Sequence, residues 1–171
     1  MDFQENLESE TAAFANDLVQ GDDLGVVIRV HIRIENALRE VVRSLIKEPG
    51  YLDKMDLDYS NVVLLAVALG VNKAYAPSLN AIGTLRNKFA HNLNTKLDSN
   101  TISSLYAALA SDHKEETQRM SKKLWIAHKG SSPYPQFKNL QPRDQFISIA
   151  VILWGAAIGA VFHLKERSRE A

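Results

Sequence analysis

Apolar positions recur along most of the chain at the spacing of an amphipathic helix, and no convincing stretch shows strand alternation. The clearest stripe predicts a long helix from about residue 23 to residue 47; it consists of Val27, Val30, Ile34, Leu38, Val41 and Leu45. A first helix over about 3–19 ends at Gly21, and Asp22-Asp23 supply an N-cap and first-turn charge for the second helix. The pattern predicts an all-α bundle of about six to seven helices in a single domain over residues 1–171.

Turn-forming residues delimit the other helices. An irregular stretch is expected over 48–58, and helices are expected over about 61–69, 77–91, 99–110 and 113–128. Pro77 suits a first helical turn, and Ser99 or Asn100 is the expected N-cap of the following helix. The segment 129–142 is rich in glycine, serine and proline and is predicted to be a loop.

The helix expected over 143–166 contains an uncharged run from Phe146 to Phe162, at the short edge of a membrane span. It could be a central helix buried on all sides or a C-terminal membrane anchor. We favour the central helix, and so consider a membrane unlikely, because the other helices have apolar faces that need a partner. Gly155 and Gly159 form a GxxxG pair, which predicts a tight helix crossing that a bulky residue at Gly155 would overpack.

Composition and charge narrow the function classes. Hydrophobic residues make up 46% and charged residues 23% of the chain, which is typical of a soluble globular domain. Without cysteine the chain has no disulfide scaffold, thiolate nucleophile or cysteine-bound metal. The acidic start, Met1-Asp2-Phe3-Gln4-Glu5, lacks the basic residues and apolar run of a secretion signal, which favours a cytoplasmic location.

The net charge of zero hides an asymmetry. Residues 1–23 hold seven acidic and no basic residues, whereas the rest of the chain holds 20 basic and 13 acidic residues. The basic remainder of the chain could attract a polyanion. The acidic N-terminal helix could lie over that remainder, or its acidic residues could cap the helix itself. Ordinary solvated charge is the plainer interpretation.

The most informative segment is 79–92. At about 100° per residue, Leu79, Ile82, Leu85 and Phe89 share the face that should be buried. A polar stripe lies opposite and consists of Asn80, Thr84, Asn87 and His91, with Arg86 on the flank. The small residues Gly83 and Ala90 should let another helix or a phosphate approach this side closely, which predicts dimerisation through it.

Arg86-Asn87-Lys88-Phe89-Ala90-His91 reads R-N-x-x-x-H and resembles the signature of the HEPN superfamily of small helical bundles. These include ribonucleases of toxin–antitoxin and phage-defence systems. The wider context is similar to mannitol-operon-repressor-like (MtlR-like) proteins, which are named as transcriptional regulators. That context comprises Ala-Leu-Gly at 68–70, Leu79 and Glu35-Asn36-Ala37-Leu38. The resemblance covers about residues 25–110.

The HEPN resemblance implies a homodimer in which two motifs meet and RNA is cut without metal by its own 2′-hydroxyl. His91 would be the general base or acid, Arg86 would stabilise charge on phosphorus, and Asn87 would hold the imidazole or phosphate. Cofactors are not expected, and a cognate antitoxin or regulatory protein is a possible partner. The alternative is a non-catalytic MtlR-like regulator or interaction module.

The same residues also have a structural interpretation. Asn87 and His91 could cap the end of their helix while Arg86 pairs with a carboxylate such as Glu35. His31 lies among the apolar residues of the second helix and is interpreted as a residue at the edge of the core. The five histidines show no metal-ligand spacing, so we expect no metal site.

A second basic group could contact nucleic acid. Lys88 lies within the motif, and the later helix carries Arg119, Lys122, Lys123 and Trp125, which could receive an RNA backbone and stack a base. A solvated amphipathic helix is the plainer interpretation of the later group.

Overall fold

The computed structural model describes residues 3–92, 94–130 and 132–167, and side chains between residues 9 and 163. Within these ranges the chain forms helices and turns with no strand, which confirms the all-α prediction. The eight α-helices are α1 (Phe3–Val19), α2 (Asp23–Leu45), α3 (Pro49–Leu52), α4 (Tyr59–Ala68), α5 (Ala76–His91), α6 (Ser99–Ala107), α7 (Ser111–Lys129) and α8 (Pro142–Arg167). The short α3 lies in the stretch 48–58, for which the sequence predicts irregular structure.

Aspartate side chains begin several of these helices. Asp22 accepts a hydrogen bond from the Gly25 amide at 2.7 Å, as expected for the N-cap of α2. The predicted cap of α6 was wrong, because Asp98 takes that role and accepts from the Thr101 amide at 2.7 Å. A carboxylate one residue before the expected position thus satisfies the exposed amides and sets the start of α6.

Helix α8 is the centre of the bundle and contacts α1, α2, α6 and α7. Its residues from Phe146 to Trp154 are all buried, so no side of this half of the helix faces water. That arrangement agrees with the expected central helix. Among the described residues α8 is also the one helix long and apolar enough to cross a membrane, so its relation to a bilayer stays a prediction.

The glycines of α8 do not form the expected tight crossing. Among the described residues, a Cβ atom built at Gly155 or at Gly159 would have no heavy atom within 4 Å, apart from its own helix's local neighbours. A methyl group at Gly155 therefore meets open space among the described residues, and the overpacking expected of a bulkier residue there stays a prediction. A GxxxG spacing places both glycines on one side of a helix, and here that side is only half-buried.

The acidic N-terminal helix lies against the body of the protein. Phe14 packs its ring on Trp154 of α8, with ring centroids 4.7 Å apart. Asp17 pairs with Arg33 of α2 at 3.2 Å, and Arg143 donates to the carbonyl groups of Leu18 and Val19. Contacts with both α2 and α8 therefore hold α1 in place.

Helices α2, α4 and α5 form the part of the bundle that carries the candidate site. Each of the three contacts the other two. The α5 residues Leu79, Ile82, Leu85 and Phe89 are all buried, which confirms the predicted inner face. Because that face is fixed in the core, the polar side of α5 is held at a defined angle to α2 and α4.

Candidate functional site

The polar side of α5 is exposed as predicted. Asn80, Thr84, Asn87 and His91 are exposed, and so is Arg86 on their flank. The Arg86 guanidinium donates from Nη1 to the Asn87 side-chain oxygen at 3.0 Å. In the described part of the chain Arg86 forms no ion pair, so the predicted pairing with Glu35 is wrong. Arg86 thus keeps donors available for an anion.

A polar cavity of about 450 Å³ opens between α2, α4 and α5. Its walls come from all three helices and from the cap of α4; they include His31, Glu35, Asp58, Tyr59, Ser60, Asn80, Gly83, Thr84, Arg86 and Asn87. Arg86 and Glu35 therefore share one cavity without pairing, and a buried histidine lies on the same wall as Glu35. The cavity brings a cation, a carboxylate and an imidazole together.

Gly83 has a role inside the chain. A Cβ atom at this position would lie 2.7 Å from Cδ1 of the Tyr59 ring, closer than real Cβ contacts allow. The Tyr59 hydroxyl donates to the Leu79 carbonyl at 3.0 Å. Burial and the charge of Glu35 both raise the pKa of Tyr59, so it stays a neutral donor. The prediction that Gly83 makes room for a dimer partner is wrong, because Tyr59 occupies that room.

Glu35 is held by an arginine of its own helix. Arg39 donates from Nε and Nη2 to the same carboxylate oxygen at 2.9 and 2.7 Å. Arg39 also donates to the Leu57 carbonyl at 2.8 Å, which ties it to the chain before α4. This spacing of four residues on α2 explains why Glu35 does not turn towards Arg86.

His31 lies against both Glu35 and Tyr59. Its Nδ1 atom is 3.6 Å from Oε2 of Glu35, and its ring centroid is 4.4 Å from that of Tyr59. The side chain is 6% exposed. Burial lowers the pKa of His31, the Glu35 carboxylate opposes this shift, and the Arg86 charge adds to it. The imidazole is therefore neutral near pH 7.

The motif residues do not all meet at this cavity. Arg86 and Asn87 line it, whereas His91 is exposed one turn further along α5 and is outside the lining. Five residues along a helix correspond to a rotation of about 140°, which separates Arg86 from His91 around the axis. Lys88 lines a different groove, between α5 and α6, opposite Asp98. One chain thus places two motif residues, Arg86 and Asn87, in the cavity.

The predicted basic group on α7 is separate from the cavity. Arg119, Lys122 and Lys123 are exposed, and no α7 residue lines the cavity that contains Arg86. Trp125 is half-buried, and its indole nitrogen donates to the Ser132 carbonyl at 3.0 Å. The ring also meets Tyr134 edge-on, so Trp125 anchors the loop over 129–142. Nucleic-acid contacts by these residues stay a prediction.

Sequence reasoning treated His31 as a core-edge residue and missed that it lines the cavity. The available signal was its spacing from Glu35, since residues four apart lie on one side of a helix. Within the described ranges no group of three or more histidine, aspartate or glutamate residues is arranged to hold a metal ion.

Comparison of the chain with protein-family models, with curated protein sequences and with solved structures gives no match in any of the three. The resemblance to HEPN proteins therefore depends on the residues of the motif and on their setting in a helical bundle. The chemistry of the cavity has to be argued from the geometry of Arg86, Asn87 and the residues around them.

Proposed function

We propose that this protein binds RNA at the surface around Arg86 and, as a homodimer, cleaves it without a metal ion through the RNA 2′-hydroxyl. The observation that carries the proposal is the Arg86 guanidinium, which is exposed at a polar cavity, has no ion pair with any described residue, and hydrogen-bonds Asn87. A planar guanidinium presents paired donors that match two phosphate oxygens.

Arg86 gives the site a function that a structural arginine would not have. A surface arginine with a carboxylate in the same cavity commonly pairs with it, but here Arg39 holds Glu35. The positive charge at Arg86 is thus available for the phosphate group, whose negative charge increases as the 2′-oxygen attacks. Asn87 fixes the guanidinium by accepting its hydrogen bond.

The dimer in this proposal supplies His91 to the site. His91 and Ala90 are both exposed at the end of α5, so a second copy can approach this part of the helix. Because Arg86 and His91 of one chain point in different directions, His91 of one copy would act beside Arg86 of the other. The bond between phosphorus and the 5′-oxygen then breaks, leaving a 2′,3′-cyclic phosphate and a 5′-hydroxyl.

The test is cleavage of varied RNAs by the purified protein in the presence of a chelator, with analysis of the product ends. We expect cyclic phosphate ends, and losses of roughly 10²–10⁴-fold in His91→Ala and comparable losses in Arg86→Ala. His128→Ala and Arg33→Ala are matched controls, because each replaces an exposed residue of the same type away from the cavity. Both controls should retain activity.

The second candidate is the non-catalytic MtlR-like regulator or interaction module. The observation that favours it is that one chain does not bring Arg86 and His91 into a single cavity. This candidate predicts RNA or protein binding that Arg86→Ala weakens, with no cleaved product at any protein concentration. A chain that stays monomeric at micromolar concentration in sedimentation would also favour it, since the composite site would then be absent.

A further inference from the structure

The cavity contains a histidine and carboxylate pair that the R-N-x-x-x-H motif does not include. His31 and Glu35 lie on α2, about fifty residues before the motif, and line the same cavity as Arg86. Their atoms Nδ1 and Oε2 are 3.6 Å apart, which is longer than a hydrogen bond. Such contacts are often long in the free protein and shorten once substrate binds.

Two sets of contacts fix this pair. Glu35 receives two hydrogen bonds from Arg39, which itself is tied to the Leu57 carbonyl. On its other side His31 packs on Tyr59, and Tyr59 is held by the Leu79 carbonyl. The ring of His31 is therefore restrained by α2 and α4 together. Packing alone would explain the contact with the Tyr59 ring, but it does not require a carboxylate held beside a ring nitrogen.

We propose that His31 is the general base of the RNA cleavage, that Glu35 orients its imidazole, and that Arg86 of the same chain holds the scissile phosphate. This inference rests on the proposed function and deepens it. Contact of Glu35 with Nδ1 leaves Nε2 as the nitrogen that exchanges a proton with a bound nucleotide. The substrate class is a single-stranded RNA segment, because the attacking 2′-oxygen must line up with the leaving 5′-oxygen inside the cavity.

The proton transfers balance as follows. Nε2 of His31 takes the proton of the 2′-hydroxyl, and the 2′-oxygen forms a bond to phosphorus while the bond to the 5′-oxygen breaks. Protonated His91 of the second copy gives its proton to the leaving 5′-oxygen. His31 then carries the extra proton and His91 lacks one, and exchange with water returns both to their starting forms. No oxidant, metal or cofactor takes part in this step.

The charged and titratable groups around His31 are compatible with a base. Glu35 lines the cavity beside His31 from α2, Asp58 and Tyr59 line it from the start of α4, and Arg86 lines it from α5. Arg39 is bonded to Glu35 and is outside the lining. Burial is the largest influence and lowers the pKa of His31, so the imidazole is unprotonated near pH 7 and can accept a proton.

The experiment compares two buried histidines that both lie on a tyrosine ring. His31→Phe keeps a ring on Tyr59 and removes the nitrogens, and His113→Phe does the same on Tyr75, where the centroids are 3.8 Å apart. We expect His31→Phe to lower single-turnover cleavage by roughly 10²–10⁴-fold with little change in RNA affinity. Cleavage by His113→Phe should equal that of the wild type. Glu35→Gln should lower the rate by a smaller factor than His31→Phe.

The pH profile separates a base from a packing residue. In the wild type the cleavage rate should fall as the pH drops from about 7 towards 5, because His31 becomes protonated. In His31→Gln this decrease at acidic pH, the acid limb of the profile, should be absent from the residual cleavage rate. A limb that persists in a folded His31 variant would overturn the inference, and so would His31→Phe with wild-type activity. If His31→Phe does not fold, His31→Gln and Glu35→Gln decide the question by the same limb.

Failure of the inference differs from failure of the proposed function. If the wild type cuts RNA and Arg86→Ala does not, while His31→Phe still does, only the base assignment is wrong. Wild-type protein that leaves every RNA intact contradicts both. Thermal unfolding curves of each variant show whether a lost rate reflects lost structure.

Discussion

Two buried histidines, His31 and His113, show what separates a site from a well-packed interior. Each is largely inaccessible and lies on a tyrosine ring, Tyr59 for His31 and Tyr75 for His113. His31 lines a polar cavity and faces a carboxylate that an arginine holds. His113 has a buried Nδ1 atom with no hydrogen-bond partner in the described residues, and its other nitrogen is 3.7 Å from the exposed Asp112. Burial and contact with a tyrosine ring are common to both, whereas the open cavity and an Arg86 without an ion pair among the described residues are found only at His31.

The largest expected effect comes from combining variants across this comparison. If Arg86 and His31 act on one phosphate, Arg86→Ala should cost roughly 10²–10⁴-fold, and adding His31→Phe should cost far less than the product of the two losses. Arg86→Ala with His113→Phe should show the loss of Arg86→Ala alone, because those sites share no partner. Single-turnover cleavage measures both. Fully multiplicative losses for Arg86 and His31 would show that they do not share a step.

A substitution at Gly83 tests how Tyr59, which packs on His31, is held in place. A methyl group in Gly83→Ala would meet the Tyr59 ring at 2.7 Å, so Tyr59 or α5 must shift. We expect a loss of roughly 1–3 kcal/mol in the free energy of unfolding, together with reduced cleavage. Gly155→Ala is the matched control, since a Cβ there meets none of the described residues beyond its own helix and alanine favours the helix by about 0.5–1 kcal/mol. Urea unfolding of both variants checks the difference, and equal stabilities would contradict the packing assigned to Tyr59.

The free energy of unfolding should depend on pH in a way that reflects the protonation of His31. Its pKa in the folded protein lies below the ordinary value of 6.5, so the unfolded chain takes up this proton first as the pH falls. The contribution of neutral His31 to the free energy of unfolding is therefore complete above about pH 6.5. It decreases as the pH falls through the pKa that His31 has in the folded protein. In His31→Phe that part of the slope should vanish, which chemical denaturation across this range would show. An unchanged slope would mean that His31 is not held neutral by its surroundings.

The smallest expected effect concerns the other histidine. His113→Phe removes a buried nitrogen that lacks a partner and keeps the ring against Tyr75. The lost contact with Asp112 is on the surface side and contributes little. We expect the free energy of unfolding to stay the same or rise by up to about 1 kcal/mol. A clear loss of stability would indicate that His113 contributes a contact beyond ring packing.

Local features of the fold could be predicted from the sequence, whereas contacts between distant segments could not. The period of Leu79, Ile82, Leu85 and Phe89 gave the buried face of α5 and therefore the exposure of Arg86. The cavity needed the register of α4 against α5, which depends on Tyr59 entering the space at Gly83. No pattern within a single helix encodes that approach, so the sequence alone predicts an external partner at Gly83.

The other differences between the sequence prediction and the structure arise where neighbouring residues could fill the same role. Glu35 had two arginines available, and the one on its own helix, Arg39, reaches it without any tertiary arrangement. The GxxxG spacing in α8 records which residues share a side of the helix but not what lies opposite them. Asp98 and Ser99 are both good caps, and the extended backbone at Asp98 decides between them.

The central position of α8 also affects the order in which the protein can mature. Translation proceeds from the N-terminus, so α8 emerges after the seven helices that precede it among the described residues. Until α8 arrives, the apolar sides of α1, α2 and α7 have no central partner to pack on. Helix α2, which carries His31 and Glu35, is one of the helices that lack this partner until then. In a nascent chain α2 therefore gains its contacts with α8 only after the last of these helices has been made.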